Sequence, residues 1–169
     1  MRTGVIEDHS EVRWDIRPSP KWGTVEVRVC DGVSTAAEIA AIGALVQCLV
    51  EWMSERLDRG ETLTVLQPWY VRENKWRAAR YGMAAEVITD ISGTERLVSD
   101  DLRELLTTLV PIADRLGCAA ELQLVRATLD GGASYERQLR VAEAAGGDLT
   151  AVVAHLAREL RAGVGAPQA

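Results

Sequence analysis

Apolar and polar residues alternate from Glu11 to Arg17, with Val12, Trp14 and Ile16 on one side and Arg13, Asp15 and Arg17 on the other. A period of two is that of a β-strand. Pro18, Ser19, Pro20 and Gly23 then break the pattern, because proline cannot donate to a strand ladder and glycine accepts turn geometry. Alternation resumes from Thr24 to Cys30, where Val25, Val27 and Val29 face away from Thr24, Glu26, Arg28 and Cys30. The two segments are expected to pair as antiparallel neighbours across the intervening loop.

After Asp31 and Gly32 the period changes to that of a helix. Ser34 or Thr35 can cap a long helix reaching about Arg59, with Ile39, Ile42, Leu45, Val46, Leu49, Met53 and Leu57 as its apolar stripe and Gly60 as its stop. The connector TLTVLQP leads to a second helical stretch near Trp69 to Ala85. From Asp100 onward the pattern is wholly helical, with helices expected at Asp100 to Leu116, Ala119 to Leu129, Ser134 to Ala145 and Leu149 to Arg161. Gly117, Gly131-Gly132 and Gly146-Gly147 separate them, and Leu105, Leu109, Ile112, Leu116, Leu122, Leu124 and Leu129 read as core. The fold class expected is α+β, a short antiparallel strand pair followed by a mostly helical part, in a single domain over 1–162 with a flexible tail at 163–169.

Composition narrows the function classes. The 169 residues are 47% hydrophobic and 26% charged, as in a globular domain. A net charge of -6 argues against nucleic acid as partner, since such binding relies on a basic surface. Glu38, Gln47 and Glu51 interrupt the most apolar stretch, Ala36 to Met53, so no membrane span is expected there. The first ten residues lack a secretory pattern. Cys30, Cys48 and Cys118 are odd in number and far apart, which fits neither a disulfide framework nor a zinc clamp, so reduced thiols in the cytoplasm are expected. His9 and His155 have no ligand-spaced partner.

Two segments carry the chemistry. On the strand pair, three arginines and two carboxylates recur at every second position, and the two prolines between the strands would fix the guanidinium groups. A solvated sheet face is the ordinary explanation. A face turned to a polar cleft is the other: carboxylates there would hold a hard divalent cation, magnesium or manganese, and guanidinium forks would meet phosphate or carboxylate oxygens. The second segment is RENKWRAARYG, Arg72 to Gly82. On a helix Glu73, Arg77 and Arg80 share one flank, while Asn74, Arg77 and Tyr81 follow a neighbouring line. A salt-bridged basic surface over a buried Trp76 is the ordinary alternative.

In this order, WDIRPSPKWGTVEVRVCD and ENKWRAARYG resemble the carboxylate-amine ligase family, the bacterial type 2 glutamate-cysteine ligases, which are similar in fold to glutamine synthetase. The likeness spans roughly Ser10 to Arg161, and LGCAAEL and ERQLRV resemble the family's helical C-terminal part. The resemblance implies an ATP-dependent ligase, with ATP and Mg2+ as cofactors, that joins glutamate to cysteine or another amine through an acyl phosphate, in glutathione biosynthesis.

It also implies roles. Glu26 matches a metal-ligand position, Arg28 one that faces phosphate or substrate carboxylate, and Arg17 a second anion contact shared between catalysis and nucleotide binding. Asn74, Arg77 and Arg80 would line the same cleft, and the apolar side of the strand pair would rest on the long helix. A complete member is about twice as long and begins with an acidic GxExE-type strand that is not found in this sequence. One carboxylate from Glu26, even helped by Asp15, supplies few oxygens for catalytic magnesium. The expectation is therefore a C-terminal half, inactive alone, that needs the N-terminal half or self-associates. The alternative is a non-catalytic helical interaction module that keeps the ligase fold and recruits a partner through an open strand edge.

Overall fold

The computed structural model describes residues 4–5, 7–8, 11 and 14–163. Val12 and Arg13 of the first alternating segment, His9 and the tail at 164–169 lie outside the described residues. Where one domain is expected over 1–162, the chain falls into two compact units, Met1–Val33 and Ser34–Ala169.

In the first unit β1 (Ile16–Ser19) pairs antiparallel with β2 (Thr24–Val27), as the alternation predicts. Ile16 lies opposite Val27, Arg17 opposite Glu26 and Pro18 opposite Val25. A bond of 2.7 Å from the Arg28 N–H to the Asp15 carbonyl continues the pairing beyond the strands. The loop closes with the Trp22 N–H on the Ser19 carbonyl at 3.0 Å and with Gly23 at φ 62°. Within its own unit the pair leaves Trp14, Ile16, Val25 and Val29 exposed.

The second unit is helical. Thr35 caps α1 (Ala36–Asp58) through a reciprocal box: its Oγ1 accepts the Glu38 N–H at 3.1 Å, and its own N–H donates to Glu38 Oε2 at 3.2 Å. Pro68, the first residue of α2 (Pro68–Tyr81), suits a position whose N–H would have no helical partner. A single 3-10 turn at Gly82–Ala84 follows, then β3 (Glu86–Ile88) and β4 (Glu95–Leu97), an antiparallel pair that the sequence pattern did not predict. Their turn is wrapped on Asp90, whose Oδ1 accepts from the Ser92 N–H (2.9 Å), the Ser92 hydroxyl (2.6 Å) and the Thr94 N–H (3.1 Å). Then come α3 (Val98–Leu116), α4 (Ala119–Gly131), α5 (Ser134–Ala144) and α6 (Leu149–Gly163), each within two residues of its expected bounds.

The core is built where α1, α3 and α4 meet: Ala41, Ala44 and Cys48 pack with Leu106, Leu109, Ile112, Ala113, Leu122 and Val125. The expected stripe of α1 coincides with the buried face in part, since Leu45 and Leu49 pack against the core. Ile39, Met53 and Leu57 are exposed, whereas the residues wholly inside are two alanines and a cysteine. Small side chains let helix axes approach closely, so the contact face of α1 is marked by size as much as by hydropathy. Leu124, expected in the core, is also exposed. By length and composition α1 could cross a membrane, yet here its buried face packs against α3 and α4.

Candidate functional site

The register of β1 and β2 puts Arg17 directly across from Glu26, and Arg28, two residues after Glu26, projects to the same side. All three converge. Arg17 donates to Glu26 Oε2 through Nε at 2.8 Å and also through Nη2, while Arg28 Nη1 donates to Glu26 Oε1 at 3.2 Å. Two guanidinium groups on one carboxylate leave the trio with a net positive charge, and the Arg17 side chain is only 21% exposed. Beside it lies a cleft of about 360 Å³ formed by the β1-β2 loop, Pro18 to Trp22, with Arg17 and Asp8. Lys21 adds a second cation to this cleft, its ammonium 5.0 Å from the centre of the Trp22 ring. An anionic oxygen is the ligand such an arrangement suits.

A divalent cation is less well served. Both Glu26 oxygens accept from arginine, and no group of three His, Cys, Asp or Glu side chains able to hold a metal occurs among the described residues. A hard cation prefers six or more oxygens. The described residues therefore do not by themselves fit magnesium.

The second motif lies in the other unit and is engaged there. Asn74 Nδ2 donates to the Ile88 carbonyl at 2.7 Å while the Ile88 N–H donates to Asn74 Oδ1 at 2.8 Å, so the side-chain amide pairs with β3 as a strand would. Arg77 donates to Glu73 at 2.8 Å, to Glu95 at 2.6 Å and to the Glu86 carbonyl at 3.1 Å, tying α2 to both strands. Glu73 first, then Glu95, hold its guanidinium still more firmly protonated. Arg80 is exposed, its guanidinium 5.7 Å from the Tyr81 ring centre. Trp76 is exposed as well, edge-on to Tyr81 at 5.9 Å, and not buried under the basic face.

A third cluster escaped sequence reasoning. Arg137 of α5 donates to Glu38 at 2.7 Å, to Glu159 at 2.8 Å and to the Gly132 carbonyl at 2.8 Å, and the Ser34 hydroxyl donates to Glu159. His155 Nε2 stands 3.3 Å from Glu159 Oε1. Burial raises the Glu38 carboxyl, but hydrogen bonds from Arg137 and Thr35 together with the Arg137 charge bring it below its ordinary value. Arg137 holds Glu159 low in the same way, against its partial burial. Arg137 stands 99 residues from Glu38 and 22 from Glu159 in the chain, and the local spacings Thr35-Glu38 and His155-Glu159 do not reveal that it joins the two carboxylates.

With this geometry in place, similarity decides the family. A family model described as Glutamate-cysteine ligase family 2 matches residues 1–155. The chain belongs to that family. A protein of Leifsonia xyli subsp. xyli named "Putative glutamate--cysteine ligase 2" is 63% identical over 165 residues, 98% of this chain and 44% of the relative. One of the same name from Clavibacter michiganensis subsp. michiganensis is 64% identical over 162 residues, 96% of this chain and 42% of the relative. Another, from Mycobacterium tuberculosis, is 55% identical over 159 residues, 94% of this chain and 42% of the relative. The chain thus spans less than half the length of these curated relatives and covers their C-terminal part. As a glutamate-cysteine ligase family 2 chain it is α+β, mostly helical with two small strand pairs.

Proposed function

We propose that the chain is the C-terminal part of a cytoplasmic, ATP-dependent carboxylate-amine ligase that joins glutamate to cysteine or another amine, and that ligation depends on the N-terminal part of the enzyme. The observation that carries this reading is the convergence of Arg17 and Arg28 on Glu26 along one side of the hairpin. In the proposed reaction a carboxylate oxygen of glutamate attacks the terminal phosphorus of ATP and ADP leaves. The amine nitrogen then attacks the acyl carbon, phosphate departs, and the nitrogen loses its extra proton to solvent. Each step moves negative charge among oxygens, so fixed cations are the parts the protein must supply.

Arg28 is proposed to meet an anionic oxygen of phosphate or substrate, since one N–H on Glu26 leaves most of its fork for a ligand. Arg17, with Lys21 and the cleft beside it, is proposed as the second anion contact. Glu26 holds both guanidinium groups in position. Asn74 and Arg77 brace the β3-β4 hairpin within the helical unit, and Arg80 is the member of that motif with its guanidinium at the surface.

Co-expression with the remaining N-terminal portion of the Leifsonia xyli relative tests the proposal. The expected outcome is ATP- and glutamate-dependent amide formation by the pair and negligible formation by this chain alone. Arg28→Ala should lower kcat of the pair by about 10²-fold or more, the loss typical of removing one donor from a developing charge. Ligation by the purified 169-residue chain without a partner would overturn the dependence. The exposed apolar side of the hairpin favours a second reading, a non-catalytic module that recruits a partner through it. Stable association without activity, unchanged by charge reversal at Glu26 and Arg28, would select that reading.

A further inference from the structure

Cys48 and Cys118 stand 70 positions apart in the chain, yet their sulfurs lie 3.7 Å from each other inside the helical unit. Cys48 is fully buried on α1 among Leu109, Leu122 and Ala44. Cys118, the residue that precedes α4, is partly buried and packs against that core. Its backbone is held on both sides: its N–H donates to the Ala113 carbonyl at 3.0 Å, and its own carbonyl accepts the Leu122 N–H at 3.0 Å. A buried free thiol behaves as a small hydrophobic group, a role either cysteine could fill without the other. An S–S bond requires the two sulfurs, already neighbours, to close to about 2.05 Å.

We propose that Cys48 and Cys118 form a covalent modification site, a dithiol that closes to an intramolecular disulfide on reaction with a small organic disulfide of the glutathione class. Exposure sets the order of events. Burial, with Cys118 beside it, pushes the Cys48 thiol up to about 11, which makes Cys48 the poorer group to begin the exchange. The Cys118 sulfur, as thiolate, attacks one sulfur of the small disulfide, forming a mixed disulfide and expelling one small thiolate, which takes up the proton Cys118 gave to water. Cys48 then attacks the Cys118 sulfur as its own proton leaves, the bond to the small thiol breaks, and the second small thiolate takes that proton. Two electrons pass from the protein thiols to the small disulfide, which becomes two thiols. Excess small thiol reverses both steps. The closed form links α1 to the α3-α4 junction.

The purified full chain, incubated with oxidised glutathione, tests this by intact mass and non-reducing peptide mapping. The expected result, beyond the adduct on Cys30, is a loss of two hydrogens, with the peptides holding residues 48 and 118 joined, and a higher melting temperature that dithiothreitol reverses. Exposed Cys30 should carry a glutathione adduct in the same sample, which shows that the oxidant is active. Cys48→Ala should trap glutathione on Cys118, and Cys118→Ala should leave Cys48 unmodified. Both thiols still free when Cys30 has reacted would overturn the proposal, as would an adduct on Cys48 in the Cys118→Ala variant. The site is independent of the ligase reading, because none of these measurements involves ATP, glutamate or a partner.

Discussion

Asn74 performs the work of a short stretch of backbone, since its amide offers one donor and one acceptor at the spacing of a peptide group. Truncation by Asn74→Ala would leave the Ile88 N–H and carbonyl without these partners in a part-buried place, at a cost of about 2 kcal/mol. Urea unfolding of the isolated chain would measure it, and an unchanged midpoint would mean that water replaces the amide at no loss. Arg137 is the other residue whose removal is instructive. Glu38 and Glu159 sit below their ordinary values in the folded state, so they stabilise the fold fully above the unfolded carboxylate range, and that stability is lost as pH falls through the lowered folded values. The acid limb therefore begins below about pH 4.3. Arg137→Met should destabilise the chain by about 3 kcal/mol near neutrality, where two carboxylates lose their shared cation, and should flatten this limb. Parallel acid limbs in the two proteins would show that Thr35, Ser34 and His155 hold the carboxylates without Arg137.

Helix ends set the next scale, and glycine conformation distinguishes two of them. Gly117, which closes α3, has φ 71° and open space where a Cβ would stand, so Gly117→Ala should cost only the left-handed strain, about 1 kcal/mol. Gly82 closes α2 at φ 56°, and a Cβ there would overlap the Tyr135 hydroxyl of α5. Gly82→Ala should therefore lower the unfolding midpoint more than Gly117→Ala, and equal losses would mean that Tyr135 swings aside freely. The same punctuation made the helices legible in sequence: the Thr35 cap and Gly117, Gly131-Gly132 and Gly146-Gly147 bracket elements found within two residues of expectation. The β3-β4 pair was hidden because each strand has three residues, too few for alternation to register, and because Asn74 and Arg77 on a helix supply much of its bonding. The turn residues Asp90, Ser92 and Gly93 were the available signal. The innermost positions of α1 were obscured for a different reason, since Ala41 and Ala44 bury little area each and hydropathy favours Ile39 and Leu57 over them.

For the whole molecule, the site was legible where chemistry and local period coincide. Arg17, Glu26 and Arg28 share a side of the hairpin because a period of two and an antiparallel register require it. The resemblance points Asn74 and Arg77 toward a ligand, and the bonds that engage them with β3 and β4 depend on a hairpin that the pattern does not reveal. Residues 29–32 between the strand pair and the capped helix are exposed and carry no regular structure. Ser34, Thr35 and Glu38, which anchor the start of α1 to Arg137 and Glu159, all belong to the helical unit. Trypsin should therefore nick the native chain first after Arg28, and what it releases should be a trimmed helical protein that keeps its melting behaviour with no hairpin attached.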